Sequence, residues 1–555
     1  MSTALDSNIA ALLAILKPSI ADHLTAECDC CISDQRSAEQ WLEKLSPSNH
    51  ADNAIELYRL MPSIVKHNCD GKTKIAILDS LAPTVIKTTE CLLQNRLNQN
   101  TAKAISLGQA LLRQLFEGYR LTLFQLGQSL EKSALYQNHD TVRVIAQSIV
   151  NAGSLLARIQ LNSLSHYLQQ PTFFWHQLHS LYLLSEQLGT ATTELPNNLG
   201  SKTSIAKLYI KILLFSCTRP HHFSRHELRT VYTQLDFWSS YAELRRGGVP
   251  GLFSIDPSSN QGAVYSDESK KQPGHLILDT SQLVAFLNQI MTDNSDTLFS
   301  DRVSRRVIRD LIQQWGEKRK RRETHIKDHA QVSLTQGFGA TLCMLSKTDS
   351  FADFLRLCGE QAPLKEYEGN GTMRADDAWG TLFERVDRHP DEPVIYMPPG
   401  KRGPRLKVLR ALRINVSLNG ACVELSDKNV QLQPGELIAV HTAGSNKWTV
   451  GIIRWKQISP SLYTSCGLQF PARHCAPAAV RITLRGADAG YQYLQAVLLS
   501  PKRDLSEGVT LLCPPLRYTK NSKITIITPL QQTYAVLEQE LETTEHLSHF
   551  KITFC

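Results

Sequence analysis

The chain has 555 residues, of which 42% are hydrophobic and 20% are charged, and its formal net charge is +8 at pH 7. That length allows three or four domains, each able to bury its own core, and the composition excludes a chain that is mostly disordered. The charge is modest for the length, so it fits an anionic ligand or surface but does not single out nucleic acid.

Cysteine usage and hydropathy bear on the compartment. The 13 cysteines are odd in number and scattered, so we predict reduced thiols rather than a disulfide framework. The cluster of Cys28, Cys30 and Cys31 lacks a second Cys/His pair at zinc-finger spacing, so no metal is expected. No stretch approaches the roughly twenty apolar residues of a transmembrane helix, and Asp6 lies where a signal peptide would carry a basic residue. We therefore expect a cytoplasmic protein with no transmembrane segment.

The first three hundred residues carry apolar positions at helical spacing, with little strand pattern between them. Stripes of this kind run through residues 5–16, 111–126 and 205–215. Ser224 and Glu227 form a capping box ahead of a further stripe. These patterns predict an α-helical array or bundle, which would offer an extended surface to a protein partner.

Residues 301–316 are predicted to form an amphipathic helix, with an apolar residue at every fourth position from Val303 to Trp315. Its polar face is expected to be solvent-exposed and carries four arginines: Arg302, Arg305, Arg306 and Arg309. The basic run 318–322 follows directly. It would complement the dipole at the end of the helix even without a ligand.

Beyond residue 400 the pattern changes to short β-strands separated by turns. Asn415 and Ser417 lie two positions apart on one strand and so share a face, where both side chains can reach one edge of a ligand. Gly420 permits a tight turn or a bulge into the next strand. Three further strands are predicted at 435–440, 448–455 and 465–470. This spacing predicts a closed or nearly closed β-barrel.

The segment 415–420 resembles a known family motif. Its sequence, Asn-Val-Ser-Leu-Asn-Gly, matches the (Asp/Asn)-x-Ser-x-x-Gly signature of PilZ domains, small bacterial β-barrels that bind the second messenger cyclic di-GMP. The pieces that follow, Pro-Gly-Glu-Leu, then Gly-Ile-Ile-Arg-Trp, then Gly-Leu-x-Phe, are similar to that family in order as well. The resemblance implies that Asn415, Ser417 and the Gly420 turn hold the base edge of cyclic di-GMP.

A PilZ domain that binds its ligand also has an Arg-x-x-x-Arg motif before the barrel, whose guanidinium groups grip phosphates and stack on guanine. Two segments are candidates. The first contributes Lys318, Arg319, Arg321 and Arg322, and the second is Lys401–Arg405, followed by Arg410 and Arg413. We favour the first, because a basic run leading into a first barrel strand is the family's arrangement. Lysine replaces one arginine there, and lysine cannot grip two oxygens in a planar fork.

The start of the barrel has two interpretations. If the first barrel strand lies near residue 332, about seventy residues separate it from the signature strand, more than compact connections usually hold. A helix over 351–358 would then lie in this insertion, which spans about 345–405. Alternatively, the barrel begins near Leu406, and the segment 318–345 belongs elsewhere.

The predicted fold class is α+β multidomain: an N-terminal α-helical array or bundle, a PilZ-like antiparallel β-barrel and a small C-terminal β-rich unit. The last rests on β-rich runs at 496–499, 508–512, 523–527 and 533–537. The predicted domains are 1–192, a second helical segment over 193–300 with a polar linker near 256–274, the barrel with its lead-in helix over 301–480, and 481–555.

The motifs of common enzymes are missing from the sequence, including a Gly-x-Ser-x-Gly elbow, a His-Glu-x-x-His zinc motif and a phosphate loop. We therefore predict a binding protein: a cyclic di-GMP effector that relays the messenger level to a protein partner of the helical half, in motility, pili or biofilm formation by resemblance. The alternative is a degenerate PilZ-like scaffold that has lost the nucleotide. Nucleic-acid binding is disfavoured, because the strands lack interleaved aromatic residues for stacking.

Overall fold

The computed structural model describes residues 2–18, 21, 32–94, 101–131, 139–198, 200–246, 251–266, 274–292, 303–318, 325–360, 407–426, 432–445, 447–459, 463–484, 490–501, 508–515 and 521–555. The chain divides into two compact units. The first comprises residues 1–220 and 225–319, and the second comprises residues 221–224 and 320–555.

The first unit is mainly helical. Its described helices are α1 (Ser2–Leu16), α2 (Gln35–Leu42), α3 (His50–Lys66), α4 (Gly71–Gln94), α5 (Thr101–Glu131), α6 (His139–Ser165), α7 (Phe174–Gln187), α8 (Ile205–Cys217), α9 (Arg225–Trp238), α10 (Ser281–Thr292) and α11 (Arg305–Gly316). Asn49, Ser204 and Ser304 cap α3, α8 and α11 by accepting a hydrogen bond from a backbone N–H three residues on. The apolar stripe predicted on α5 is its buried face, because Leu111, Leu115 and Leu123 are each 0% exposed.

Helix α6 is the one described helix that is long and apolar enough to cross a membrane by length and composition. In the structure, 78% of its apolar window is buried inside the protein. That burial is typical of a central helix in a helical bundle, which is apolar on every side.

Short strands also occur in the first unit, where the periodicity predicted helices and a linker. They are β1 (Leu195–Pro196), β2 (Lys202–Thr203), β3 (Glu243–Arg246), β4 (Phe253–Ile255), β5 (Val264–Tyr265) and β6 (Leu276–Asp279). Strands β3–β6 form an antiparallel sheet in the order β3-β6-β4-β5, and β1 pairs with β2. Runs of two to four residues are too short for alternation to be recognised in the sequence.

One expectation for helix α11 is wrong. Arg306 was expected on the solvent-exposed face, but its side chain is only 18% exposed and forms ion pairs with Glu227 and Asp310. Arg305 and Arg309 are exposed. The difference arises because Glu227 of helix α9 lies against the edge of this polar face. The periodicity of one helix cannot show a contact with another helix.

The second unit contains a six-stranded antiparallel barrel. Its elements are β7 (Ile326–Lys327), β8 (Gln331–Gln336), α12 (Gly337–Ser346), α13 (Phe351–Leu357), β9 (Leu409–Ser417), β10 (Gly420–Leu425), β11 (Leu437–Thr442), β12 (Trp448–Ile458) and β13 (Thr464–Gln469). The order is β10-β13-β12-β11-β8-β9, and pairing of β9 with β10 closes the ring. Strand β7 pairs with the same edge of β9 as β8 does, but further along β9, at Asn415 and Val416.

Strand β8 decides where this barrel starts. It pairs with β9 through Leu334 and Leu409 and with β11 through Leu334 and Val440. The strand predicted near residue 332 is therefore part of the barrel, and a start near Leu406 is wrong. The predicted helix of the insertion is α13, whereas residues 361–406 lie outside the described part of the chain.

A second closed barrel follows. Its strands are β14 (His474–Leu484), β15 (Gly490–Ser500), β16 (Thr510–Cys513), β17 (Lys523–Ile527), β18 (Gln532–Thr543) and β19 (Ser548–Phe554), in the order β14-β15-β16-β19-β18-β17. Its interior is filled with apolar side chains such as Val480, Leu511 and Phe550. The four β-rich runs predicted from the sequence fall in β15 to β18.

The two barrels share a buried apolar layer. It contains Leu437, Val450 and Ile452 from the first barrel and Val497, Leu499, Leu512 and Leu547 from the second. Burial of each such side chain contributes roughly 1.5–3 kcal/mol. The loop between β18 and β19 adds a polar contact, since Thr544 Oγ1 donates to the Gly435 carbonyl oxygen at 3.4 Å.

Candidate functional site

A bulge in β9 sets the orientation of the predicted ligand residues. Arg413 is opposite Val423 and Asn415 is opposite Cys422, so Ile414 is an extra residue on β9. An extra residue shifts the alternation of side chains by one position. Val423 is in the barrel core, whereas Cys422 is half-buried on the other face. Asn415 therefore lies on the outer face, and Ser417, two residues further, lies there as well.

The turn after Ser417 packs tightly against β13. A Cβ atom on Gly420 would lie 2.6 Å from the carbonyl oxygen of Leu468, a distance that side chains do not tolerate. The N–H of Phe470 donates to the Asn419 carbonyl oxygen at 2.8 Å. Gly420 is thus needed for a close approach of two backbones rather than for an unusual φ angle. Ser417 Oγ lies 3.5 Å from the Gly420 carbonyl oxygen, at the outer limit of a hydrogen bond.

Strand β7 brings two further polar side chains beside Asn415. Lys327 is directly opposite Asn415 in the pairing of β7 with β9, so these two side chains share a face. Asn415 Oδ1 accepts a hydrogen bond from His325 Nδ1 at 3.3 Å. His325 and Lys327 are both exposed. The outer face therefore carries an amide, a hydroxyl, an imidazole and an ammonium group.

An ion pair holds β7 in place. Arg413 Nε donates to Asp328 Oδ2 at 2.6 Å, and Arg413 Nη1 donates to Thr442 Oγ1 at 3.2 Å. The hydrogen bond from Arg413 lowers the pKa of Asp328. Arg413, which follows the second candidate arginine segment in the chain, thus has structural partners.

The predicted basic residues are only partly described. Lys318 Nζ donates to the Ser266 carbonyl oxygen at 3.0 Å within the first unit. Arg319, Arg321 and Arg322 lie outside the described residues, as does Lys401–Arg405. The structure therefore places Asn415, Ser417 and Gly420 together. The arginines of both candidate segments lie outside the described residues.

Sequence reasoning missed His325, Lys327 and Arg454. His325 precedes and Lys327 ends a strand of only two residues, which is too short to be recognised in the sequence. Arg454 lies in the segment Gly451–Trp455, which reads Gly-Ile-Ile-Arg-Trp, and is the extra residue of a bulge in β12. In the same segment, Trp455 covers Gly467, where a Cβ atom would lie 1.9 Å from Trp455 Nε1. The family resemblance includes Arg454, Trp455 and Gly467, but it does not show which residues they contact.

The described residues contain no group of three or more His, Cys, Asp or Glu side chains that could hold a metal ion. The ten described cysteines are free thiols. Burial raises the pKa of the Cys466 thiol to about 12 and that of Cys217 to about 12. Neither thiol is therefore ionised near neutral pH.

Comparison with known families identifies the domain family of the barrel that carries this face. Residues 252–477 match the model described as "Cyclic-di-GMP receptor FimW, middle PilZ domain". The chain is a PilZ-domain protein. Residues 36–248 match the N-terminal domain of the same receptor, and residues 478–555 match the "FimW C-terminal beta-barrel domain". The helical half, unrecognised from its motifs, therefore matches a domain model of the same receptor as the PilZ domain.

One curated relative covers nearly the whole chain. The protein named "Cyclic-di-GMP receptor FimW" from Pseudomonas aeruginosa is 23% identical over 566 aligned positions, which cover 94% of this chain and 90% of the relative. No solved structure matches the chain. The helical, PilZ and C-terminal barrel regions thus occur together in the relative's family.

Proposed function

We propose that this PilZ-domain protein is a cytoplasmic receptor for cyclic di-GMP and not an enzyme. The ligand binds on the outer face of the middle barrel, around the turn after β9. Asn415 and Ser417 bond the guanine edge, and the Gly420 turn lets the nucleotide approach the backbone. Lys327 and the arginines of the run 319–322 neutralise the phosphates.

The observation that carries the proposal is the bulge at Ile414. Without the extra residue, Asn415 and Ser417 would continue the alternation of Leu409 and Ala411, whose side chains are in the barrel core. With it, the two polar side chains are on the outer face. The bulge thus supports a ligand role over a structural one for the pair.

Chain connectivity favours the first arginine segment. Arg322 precedes His325 by three residues, so their Cα atoms can be at most about 11 Å apart. His325 bonds Asn415 directly. The second segment instead precedes Leu409, which is six residues and therefore about 20 Å along the strand from Asn415. A guanidinium on Arg321 or Arg322 can thus reach a phosphate of a nucleotide bound at Asn415.

The helical unit would relay ligand binding to a protein partner. Its match to a named receptor domain and its long helices support an interaction role. The alternative is a scaffold with a PilZ fold that no longer binds nucleotide. Lysine in place of arginine at position 318 favours that alternative, because Lys318 bonds Ser266 and cannot form a planar fork.

Isothermal titration of cyclic di-GMP into the full-length protein tests the proposal, with GTP and cyclic AMP as controls. Saturable binding of cyclic di-GMP alone is expected. Arg322→Ala should abolish it without unfolding the protein, and the matched variant Arg405→Ala should leave it intact. Loss on Arg405→Ala alone would move the site to the second segment. An absence of binding at high concentration would favour the scaffold.

A further inference from the structure

One guanidinium group joins three parts of the second unit. Arg454 on β12 donates through Nη1 and Nη2 to the two carboxylate oxygens of Glu542 on β18, with an Nη2–Oε2 distance of 2.7 Å. Arg454 Nε donates to Oε1 of Gln469 at the end of β13. A bidentate pair of this kind fixes the plane of the guanidinium group. Arg454 therefore links the C-terminal barrel to the strand beside the signature turn.

Both partners of this ion pair lie at β-bulges. Arg454 is the extra residue on β12, and Leu541 is the extra residue next to Glu542 on β18. Bulges re-aim side chains out of the regular alternation. The Arg454 and Glu542 side chains are 29% and 17% exposed, so solvent and salt screen them less than an ordinary surface pair.

Gln469 continues the link to the ligand turn. It is directly opposite Gly420 in the pairing of β10 with β13. Its neighbours hold the turn on both sides, because Leu468 abuts Gly420 and the Phe470 N–H bonds the Asn419 carbonyl oxygen. A shift of Gln469 must therefore move the turn that carries Ser417.

We propose that Arg454 and Glu542 are positioning residues for the nucleotide site, so that the C-terminal barrel sets the affinity for cyclic di-GMP. This inference rests on the proposed function. The ion pair holds Gln469 and, through it, the turn in the geometry that binds the base. Because coupling is reciprocal, bound nucleotide in turn stabilises the contact between the barrels.

The test replaces Glu542 in the full-length protein. Glu542→Gln keeps the size of the side chain but removes the charge, and we expect cyclic di-GMP affinity to fall roughly two- to thirtyfold in a protein that still folds. Glu538→Gln is the matched control, because Glu538 lies on the same strand and pairs with Lys551 at 3.0 Å within the C-terminal barrel. It should bind like the wild type.

Gln469→Met provides a second variant that leaves the Arg454–Glu542 pair in place. It removes only the acceptor of Arg454 Nε, and the same loss of affinity is expected. In hydrogen exchange, nucleotide should slow the amides of residues 540–543 in the wild type, on a strand with no proposed ligand residue. This protection should be lost in Gln469→Met.

The outcomes separate the two proposals. If the wild type binds cyclic di-GMP but folded Glu542→Gln and Gln469→Met bind it equally well, the positioning role is wrong and the receptor function stands. If the wild type itself does not bind, the receptor function fails first. Equal losses for Glu542→Gln and Glu538→Gln would also overturn the inference, since they would reflect general damage to the strand.

Discussion

Single side chains on the outer face of the PilZ barrel have distinct tasks. Asn415 is oriented by His325, which occupies its Oδ1 and leaves the amide donors for acceptors on a ligand. Ser417 has only a long contact to the Gly420 carbonyl oxygen at 3.5 Å, so its hydroxyl contributes little to the fold. Functional and structural effects of substitution should therefore be separable at Ser417.

Ser417→Ala tests this separation. Loss of one or two hydrogen bonds should weaken cyclic di-GMP binding by about 1–3 kcal/mol, with the thermal midpoint unchanged. Titration calorimetry measures the first quantity and calorimetric unfolding the second. Ser333→Ala, opposite Arg410 near the other end of β9, is the control and should bind normally. A lower midpoint without weaker binding would identify Ser417 as a structural residue.

Glu436 predicts a pH dependence of stability. Burial raises its pKa to about 7, although the Gln433 N–H and Gln336 Nε2 donate to its carboxylate. The folded state therefore holds this proton more tightly than the unfolded state, where the carboxyl has its ordinary pKa near 4.5. The stabilising effect of protonation is complete below about pH 4.5 and is lost as the pH rises through about 7.

Glu436→Gln should remove this dependence. As the pH rises from 5 to 8, the thermal unfolding midpoint of the wild type should fall by an amount that is missing in the variant, because glutamine needs no proton to remain neutral. Thermal unfolding at several pH values measures it. Glu424→Gln, on the half-buried outer side of β10, serves as the control. An identical pH profile for Glu436→Gln and the wild type would contradict the assignment.

At the scale of elements, the β9–β10 hairpin depends on how closely it approaches β13. Strand pairing brings the Leu468 carbonyl oxygen to 2.6 Å from the position of a Cβ atom on Gly420. That oxygen belongs to the backbone, so it cannot move away as the end of a flexible side chain would. The hairpin and β13 therefore have to shift together if Gly420 acquires a side chain.

Gly420→Ala should accordingly destabilise the second unit by about 1–3 kcal/mol, as overpacking does, and weaken nucleotide binding as well. Gly339→Ala is a matched control, because its Cβ atom would meet only the flexible amide of Gln495, at 3.2 Å. Denaturant unfolding compares the two. Equal stability of both variants would show that the close approach is absent in solution.

The whole molecule consists of two compact units, each with its own apolar core. Ligand that binds only the folded second unit stabilises that unit by mass action. We expect calorimetry to resolve two transitions, of which cyclic di-GMP raises one. At one hundred times the dissociation constant the gain is about 2.7 kcal/mol. Gly420→Ala should lower the midpoint of the same transition. If cyclic di-GMP raised the midpoint of the other transition instead, the ligand would bind the helical unit.

The amphipathic helices, the succession of short strands after residue 400 and the signature of Asn415, Ser417 and Gly420 were determined by the sequence alone. These features are local, because helical spacing, strand alternation and turn residues are written within a few consecutive positions. The same locality explains the four β-rich runs found in the C-terminal barrel. It also explains the exposed Arg305 and Arg309.

Only the tertiary structure decided which face those residues present and what surrounds them. The bulges at Ile414 and Arg454 depend on register with a partner strand, and the contact of His325 with Asn415 joins positions ninety residues apart. Such pairings are set by which register buries the apolar face, a property of the assembled barrel rather than of one segment. The link from Arg454 to Glu542 likewise required both barrels to be in place.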